Sequence, residues 1–339
     1  MSETAIEFVD VVKRYGTTTA VDRINFSISK GELVTFLGPS GCGKTTSLRL
    51  IAGLELPSEG QVKIAGRDVS RDPASERNVG MVFQSYALFP HMTVLDNVAY
   101  GPTIRGVSKA QAQDSAREIL DQVGLAGLDG RLPSELSGGQ QQRVAVARAI
   151  VQQPDVLLFD EPLSNVDAKL RRKVRAEIRD LQQRFGLTAV YVTHDQEEAL
   201  AVSDRIVVMK MGKIAQIGTP TELYEHPSST FVADFIGDAN LIEGHVKDGI
   251  FTAAHLSLPV SAPDGDVTAT IRPERVRLEK GGAAKVLSAS YLGSRIEYVV
   301  QDEGIEFLIS RQISETRFAA GDAVNLLLDP NDLILVHKD

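Results

Sequence analysis

The sequence predicts an α/β domain followed by a small all-β, OB-like barrel domain. Strand-like apolar runs alternate with amphipathic helical patterns up to about residue 235, and short extended segments replace both from about residue 240. The chain has 339 residues, which is too long for one ordinary domain. We therefore expect one domain over 1–238 and a second over 239–339, with 226–237 as a linker.

In the first domain, strands are expected where apolar residues run together, at 31–37, 78–83, 156–159, 188–192 and 205–209. The run 156–159 is apolar without alternation, which is typical of a strand covered on both faces. Helices are expected over 109–123 and 170–185, where apolar residues recur at helical spacing.

In the second domain, short segments recur about every ten residues, at 267–271, 276–279, 296–300, 305–309, 323–328 and 333–336. Residues that favour turns lie between them, including Gly281 and Gly282. This pattern predicts a small β-barrel or sandwich.

Composition excludes several classes of protein. A net charge of −9 argues against a nucleic-acid-binding surface, and the single cysteine fits a reducing compartment. The N-terminus lacks the pattern of a signal peptide, and no apolar stretch approaches the roughly 20 residues that span a bilayer. We expect a cytoplasmic location, with any membrane role acting through partners.

A glycine-rich loop matches the phosphate-binding pattern G-x-x-x-x-G-K-[ST]. It follows an apolar run and precedes a plausible helix, so backbone N–H groups and the helix dipole can surround the phosphates of ATP. Lys44 is expected to reach the β- and γ-phosphates, and the Thr45 hydroxyl to bind Mg²⁺. The alternative is an accidental glycine-rich turn. Cys42 occupies a free position of the motif, and its alternative role is that of a small filler without a part in catalysis. The predicted ATP contacts here are Gly38, Pro39, Ser40, Gly41, Cys42, Gly43, Lys44, Thr45 and Thr46.

Two acids end the apolar run 156–159. Asp160 is expected to hold Mg²⁺, directly or through water, and Glu161 to position or deprotonate the attacking water. On its own, an apolar run ending in Asp-Glu is better explained as a solvated strand end. The preceding phosphate loop makes the catalytic interpretation the stronger one.

A second glycine-rich segment, Leu136 to Gln140, opens a predicted helix over 141–151. Its helix N-terminus can also meet phosphate, which suggests a nucleotide held between two protomers. The alternative is a serine N-cap followed by a flexible turn. The predicted nucleotide contacts are Ser137, Gly138, Gly139 and Gln140.

With these motifs, residues 1–235 resemble the ATPases of ATP-binding cassette (ABC) transporters. The resemblance implies a P-loop NTPase fold and a homodimer. It also implies that Tyr15 stacks on adenine, and that Gln84 binds Mg²⁺, senses the γ-phosphate and contributes to catalysis. Outside the family, these would be a surface aromatic and an ordinary loop glutamine.

The resemblance extends to two later segments. His194 matches the family's switch histidine, which contacts the γ-phosphate, although a lone histidine is more often structural. Residues 164–167 match the D-loop that crosses the dimer interface, with Val166 where the family usually has leucine.

Within a helical signature subdomain of about 88–150, residues 87–92 lie where the family forms a groove for its membrane subunits. The resemblance thus implies two transmembrane permease subunits as partners. The structural alternative for 87–92 is packing of the helical subdomain.

The second domain resembles the TOBE extension of ABC importer ATPases, through 271–276 and 291–298. This implies that the chain serves import and lies peripherally on the cytoplasmic face of the inner (cell) membrane. It also implies a periplasmic or extracellular solute-binding protein, with which the chain acts indirectly. The overall likeness is greatest to the ferric iron group of these importers, through segments 167–172, 201–204 and 237–241. The resemblance therefore implies ferric iron as the solute, with polyamine, aminophosphonate, sulfate or sugar as alternatives. No iron ligands are evident, because the domain lacks cysteine and His245 and His255 form no cluster.

Two further classes stay open. One is a soluble ABC ATPase of DNA repair or translation, and the other is an ATP-gated regulatory protein with the barrel as sensor.

Overall fold

The computed structural model describes residues 3–164, 166, 168–254 and 256–336, with the side chains of 168–170 excepted. The chain divides into two compact units, Met1–Pro220 and Thr221–Asp339. The α/β class followed by an all-β segment is confirmed.

The first unit contains an antiparallel sheet and a mostly parallel sheet. The antiparallel sheet has the strand order β2-β1-β4-β5, formed by β1 (Thr4–Tyr15), β2 (Thr18–Ser29), β4 (Glu59–Ile64) and β5 (Arg67–Asp68). The second sheet has the order β10-β9-β3-β8-β7-β6 and is parallel except at β10. Its strands are β3 (Leu33–Leu37), β6 (Val79–Val82), β7 (Val156–Asp160), β8 (Ala189–Thr193), β9 (Arg205–Lys210) and β10 (Lys213–Gly218).

Helices cover the parallel sheet. They are α1 (Lys44–Ala52), α2 (Val94–Ile104), α3 (Lys109–Gln122), α4 (Gly138–Ile150), α5 (Ala168–Arg184) and α6 (Gln196–Val202). The five predicted strands and the helices expected over 109–123 and 170–185 are confirmed within one to two residues. The antiparallel sheet was not foreseen.

Side chains of β7 alternate between two apolar cores. Leu157 and Phe159 join the core built with α2 to α5, whereas Val156 and Leu158 join the core shared with α1 and the antiparallel sheet. The prediction of a strand covered on both faces is therefore confirmed, because each face of the sheet has its own apolar layer.

The second unit is built from two antiparallel sheets and two short helices. One sheet has the order β13-β12-β11-β14-β19 and the other β17-β16-β15-β18, and residues of both form one core. The elements are α7 (Pro220–Glu225), α8 (Thr230–Phe235), β11 (Asn240–Lys247), β12 (Ile250–Ala253), β13 (Leu256–Pro259), β14 (Gly265–Ile271), β15 (Arg277–Tyr291), β16 (Arg295–Asp302), β17 (Ile305–Gln312), β18 (Ala323–Leu327) and β19 (Ile334–Val336).

The expected turn at Gly281 and Gly282 is wrong. Lys280 and Ala284 both pair with Val324, so the intervening residues bulge out of a continuous β15. A Cβ at Gly282 would lie 2.6 Å from the Val324 carbonyl oxygen, and its φ is +107°. Glycine here permits a close strand approach rather than a chain reversal.

The stretch 226–237 contains α8, which groups with the second unit rather than serving as an extended linker. The buried Arg272 guanidinium explains the grouping. It donates to the carbonyl oxygens of Tyr224, Ala233 and Ile236, at 3.1, 2.7 and 2.5 Å, and lies 4.0 Å from the centre of the Tyr224 ring. One cation thereby ties the ends of both short helices to the β-rich unit.

Candidate functional site

Four neighbouring strands of the parallel sheet deliver site residues to one edge. Leu37 pairs with Thr193, Val192 with Asp160, and Phe159 with Val82, so β3, β8, β7 and β6 end side by side. The phosphate loop, His194, Glu161 and Gln84 follow these strand ends within two residues. Ligands of α/β proteins bind at this carboxyl edge, and the sheet therefore assembles the segments that the sequence predicted separately.

The phosphate loop can close only with glycine at two positions. A Cβ at Gly38 would lie 2.3 Å from the Met209 carbonyl oxygen and 2.6 Å from Cys42 Sγ. A Cβ at Gly43, whose φ is +106°, would lie 2.6 Å from the Ala20 carbonyl oxygen. The loop therefore packs directly against β9 and β2, and a side chain at Gly38 or Gly43 would force it open.

Lys44 is buried inside this loop. Its Nζ donates to the carbonyl oxygens of Gly38 and Pro39, at 2.7 and 2.9 Å, and lies 3.8 Å from Cys42 Sγ. Burial raises the pKa of the Cys42 thiol, although the Lys44 charge opposes the shift. The thiol is thus kept neutral beneath the loop, which agrees with the filler role that the sequence left open.

The start of α1 suits an anion. No side chain caps its N-terminus, and its first turn carries no acidic residue. The N–H groups and the dipole of this helix start are therefore available to an anion such as phosphate.

The acidic side of the site is formed by Asp160, a partly buried carboxyl group at the end of β7. Burial raises the pKa of Asp160, Arg49 opposes the shift, and neighbouring Glu161 adds to it. Within the described residues, His, Cys, Asp and Glu nowhere gather in groups of three or more that would hold a metal. The Thr45 hydroxyl and the Asp160 carboxylate are oxygen donors of the kind that Mg²⁺ takes, together with waters and phosphate oxygens. Thr45 and Asp160 are the residues that would hold it.

Glu161 and His194 form a close pair at the strand ends. His194 Nδ1 lies 3.3 Å from Glu161 Oε2, with the imidazole mostly exposed and the carboxylate about a quarter exposed. Glu161 has a φ of +45°, which is unusual for a residue with a side chain. Its N–H donates to the Val192 carbonyl at 3.1 Å, and its own carbonyl accepts from Ser164 Oγ at 3.0 Å. Hydrogen bonds to both the N–H and the carbonyl group of Glu161 hold this strained conformation in place.

Gln84 begins a turn after β6. Two later residues of this turn, Tyr86 and Ala87, have positive φ. Arg148 on α4 fixes this turn by donating to the Ala87 and Tyr86 carbonyl oxygens, at 2.8 and 3.0 Å. The guanidinium also lies 5.5 Å from the centre of the Phe89 ring. The helix that follows the signature segment therefore holds the turn that carries Gln84.

Tyr15 ends β1 with 44% of its surface exposed. Partial burial and a hydrogen bond to Glu55 raise the pKa of its hydroxyl, while Lys13 and a hydrogen bond with Thr46 oppose the shift. Lys13 Nζ lies 4.9 Å from the centre of the ring. The contact with Thr46 brings this aromatic to the helix that follows the phosphate loop.

Unlike the segments above, the signature segment does not follow a strand. Ser137 caps α4: its hydroxyl accepts from Gln140 N at 3.4 Å, and its N–H donates to Gln140 Oε1 at 2.9 Å. A Cβ at Gly138 would meet open space, so this helix start faces outward. The capping box engages Gln140 within its own chain. Ser137 and Gly138 are exposed at this helix start, whereas Gly139 is buried.

Of the predicted D-loop, Asn165 and Asp167 lie outside the described residues, as does His255 of the second domain. Val166 is 5% exposed and belongs to the core beside α5, where it replaces the usual leucine with a smaller apolar side chain.

Sequence reasoning missed a buried acid behind the Glu161–His194 pair. Glu198 on α6 and Thr193 on β8 help to line a cavity of about 60 Å³ that also borders Glu161 and His194. A signal was present: Glu198 lies four residues before buried Val202, so an acid occupies the apolar face of a helix. The Arg148 contacts were also missed, because they join residues about 60 positions apart.

Comparisons with known proteins agree with this geometry. The family model described as ABC transporter matches residues 21–164, and the model described as TOBE domain matches 269–336. The Fe(3+) ions import ATP-binding protein FbpC of Rhizobium etli is 56% identical over 321 residues, 91% of each chain. The FbpC proteins of Agrobacterium fabrum and Escherichia coli O157:H7 are 53% and 48% identical, over 94% and 92% of this chain and 94% and 91% of theirs. The chain belongs to the ABC transporter ATPase family.

Solved structures place this ABC ATPase in the same fold. The dimeric bacterial ABC transporter cassette MJ0796 aligns with a TM-score of 0.56 and 33% identity, covering 63% of this chain and 98% of that one. CbiO1 of Clostridium perfringens, part of the ABC transporter complex cbiONQ, gives a TM-score of 0.61 and 27% identity, covering 65% of this chain and 90% of that one. The predicted P-loop NTPase fold is thereby confirmed, and the family model over 269–336 confirms the TOBE resemblance of the C-terminal segment.

In the part of this ABC ATPase that the structure describes, no helix has both the length and the apolar character needed to cross a bilayer.

Proposed function

We propose that the chain is the ATP-hydrolysing subunit of an ABC importer for ferric iron, working as a homodimer beneath two transmembrane permease subunits. The observation that carries the enzymatic part is the shared sheet edge. It brings a glycine-bounded phosphate loop, the partly buried Asp160 and the Glu161–His194 pair together.

Each residue at this edge receives a role from its chemistry. The loop amides and Lys44 bind the phosphates of ATP. When ATP binds, Lys44 Nζ replaces its hydrogen bonds to the Gly38 and Pro39 carbonyl oxygens with hydrogen bonds to phosphate oxygens. Thr45, Asp160 and Gln84 would hold Mg²⁺, which supplies charge neutralisation on the phosphate oxygens. Glu161 orients the attacking water and accepts its proton, and His194 contacts the γ-phosphate beside it. Tyr15 offers its half-exposed ring to adenine.

The dimer follows from the outward-facing start of α4. Ser137 and Gly139 of the partner subunit would complete the site around the nucleotide held by Lys44. Two observations support this: α4 begins with a free-facing glycine, and the MJ0796 cassette, 33% identical, is described as a dimer.

A groove beside α2 is the proposed docking site for the permease subunits. It has a volume of about 440 Å³, and Phe83, Phe89 and Tyr100 are among its lining residues, as are Arg105 and Arg148. Exposed aromatic rings with cationic neighbours suit an amphipathic helix that carries acidic residues. Tyr100→Asp should prevent co-purification with the permease subunits and leave ATP binding intact. Tyr291→Asp, on an exposed aromatic of the other unit, is the control.

Ferric iron is proposed as the solute because relatives 48–56% identical over more than nine-tenths of this chain carry that name. The test is uptake into vesicles that contain this chain with its permease and solute-binding partners. Labelled ferric iron should accumulate only with ATP inside, whereas putrescine and sulfate should not. Accumulation of another solute in place of iron would overturn the assignment. The absence of steady ATP hydrolysis would favour the non-catalytic, ATP-gated regulatory protein.

A further inference from the structure

Three hydrogen bonds close a ring around the backbone of His194. The Thr193 hydroxyl donates to the Glu198 carboxylate, Asp195 N donates to Thr193 Oγ1 at 3.0 Å, and Glu198 N donates to Asp195 Oδ1 at 3.0 Å. Thr193 and Asp195 flank His194 directly, so the ring fixes the chain on both sides of the imidazole. The Glu198 carboxylate and N–H group close this ring.

A fourth bond ties the ring to the neighbouring strand. The Tyr191 hydroxyl donates to Glu198 Oε1 at 2.5 Å, and the Tyr191 ring packs against Phe159 with their centres 5.7 Å apart. Phe159 lies on β7, one residue before Asp160 and two before Glu161, which follows the strand directly. The carboxylate of Glu198 is therefore linked through one buried aromatic pair to the strand that carries Glu161.

Burial of the Glu198 carboxyl group costs desolvation free energy, which a residue that only fills space would avoid. Glu198 is 7% exposed and Tyr191 is fully buried. Burial raises the pKa of Glu198, against the opposing effect of the hydrogen bonds from Thr193 and Tyr191. An apolar side chain on this face of α6 would pack with Ala199 and Val202 without that desolvation. The carboxylate instead satisfies two buried hydroxyl groups at the point where His194 leaves the sheet.

We propose that Glu198 is a positioning residue that holds His194 within reach of Glu161 and the γ-phosphate. The inference rests on the proposed catalytic roles of Glu161 and His194. The phosphate loop lies between β3 and α1, and Lys44 begins α1, so both are outside this ring of hydrogen bonds. Loss of the carboxylate is therefore expected to slow the chemical step while leaving ATP affinity nearly unchanged.

The experiment measures ATP hydrolysis by the full chain for E198A, with E197A as the matched control. Glu197 is an exposed acid on the same helix. E198A should lose on the order of 10²-fold in kcat, the effect of a displacement of about 1 Å, with KM for ATP within about twofold of the parent. E197A should match the parent in both.

Two further measurements separate positioning from simple support of the fold. In a double-mutant cycle, E198A should add little to H194A, because both changes disable the same imidazole. Thr193→Val should reproduce the kcat loss of E198A, and Thr193→Ser, which keeps the hydroxyl, should recover most of it. The Thr193 pair preserves the test if E198A does not fold.

The outcomes distinguish this inference from the proposed function. Normal hydrolysis by H194A would overturn the catalytic role of the histidine itself. A large loss in H194A with parental kcat in both E198A and Thr193→Val would overturn the positioning role and leave the proposed function standing. Losses in H194A and E198A that multiply fully would also overturn it, since independent sites give additive free energies.

Discussion

His194 Nδ1 lies 3.3 Å from Glu161 Oε2, although the two residues follow different strands and are 33 positions apart in the sequence. The strands are neighbours in the parallel sheet, and Val192 pairs directly with Asp160. Both side chains therefore reach the same point beyond the sheet edge. A carboxylate and an imidazole at this distance can share the task of holding water at a phosphate.

Replacement of Glu161 by glutamine should separate ATP binding from hydrolysis. The amide keeps the shape of the side chain but cannot accept a proton, so hydrolysis should fall on the order of 10³-fold. Because nucleotide then persists between two copies, E161Q should run as a dimer with ATP in size-exclusion chromatography, and the parent largely as a monomer. A monomeric E161Q with normal hydrolysis would contradict both the catalytic assignment and the sandwich.

Replacement of Gly43 by alanine should open the phosphate loop. The new Cβ would lie 2.6 Å from the Ala20 carbonyl oxygen, at a φ of +106°. We expect a loss of roughly 1–3 kcal/mol in the free energy of unfolding and strongly weakened ATP binding. Gly66→Ala is the control, because Gly66 has a φ of +76° but faces open space. Equal ATP affinity in the two variants would show that the close approach at Gly43 is not needed for ATP binding.

Replacement of Arg148 by lysine should loosen the turn that carries Gln84. An ammonium group cannot donate in parallel to the carbonyls of Tyr86 and Ala87 as the guanidinium does. The expected loss is about 1–3 kcal/mol in the free energy of unfolding, measured by chemical denaturation. Arg117→Lys, at a half-exposed ion pair with Asp114, should change it by less than about 1 kcal/mol. A smaller effect at Arg148 than at Arg117 would refute the assignment.

Tyr224 should make the second unit sensitive to alkali. Burial and the hydrogen bond to Glu274 raise the pKa of its hydroxyl to about 12, from an ordinary value of 10.0. The folded state thus retains a proton that the unfolded chain releases. The resulting stability is complete below about pH 10 and is lost as pH rises toward 12.

Tyr224→Phe should make the alkaline decline in the free energy of unfolding shallower between about pH 9 and about pH 11, because it removes the contribution of this one hydroxyl. Tyr291→Phe, on a side chain that is 64% exposed, should retain the decline of the parent. Parallel curves for the parent and Tyr224→Phe would contradict the shifted pKa.

Local patterns in the sequence were sufficient wherever chemistry and structure share a short segment. The phosphate loop needs its glycines and Lys44 within a few residues, and β7 shows its double burial as an unbroken apolar run. The antiparallel sheet escaped prediction because β1 and β2 alternate imperfectly; their pairing shifts register four times over twelve residues. The bulge at Gly281 and Gly282 resembles a turn locally, and only its pairing with β18 distinguishes the two.

The sequence by itself determined the order of elements, the segments predicted to contact nucleotide and the family of the protein, because each depends on residues close together in the chain. The tertiary structure decided which side chains act on one another. Glu161 meets His194, Arg148 holds the carbonyls of Tyr86 and Ala87, and Glu198 joins Tyr191 to Thr193 through contacts that strand register and helix packing create. Distances of 3 Å between residues distant in sequence are set by the packing of the whole sheet, which no local pattern encodes.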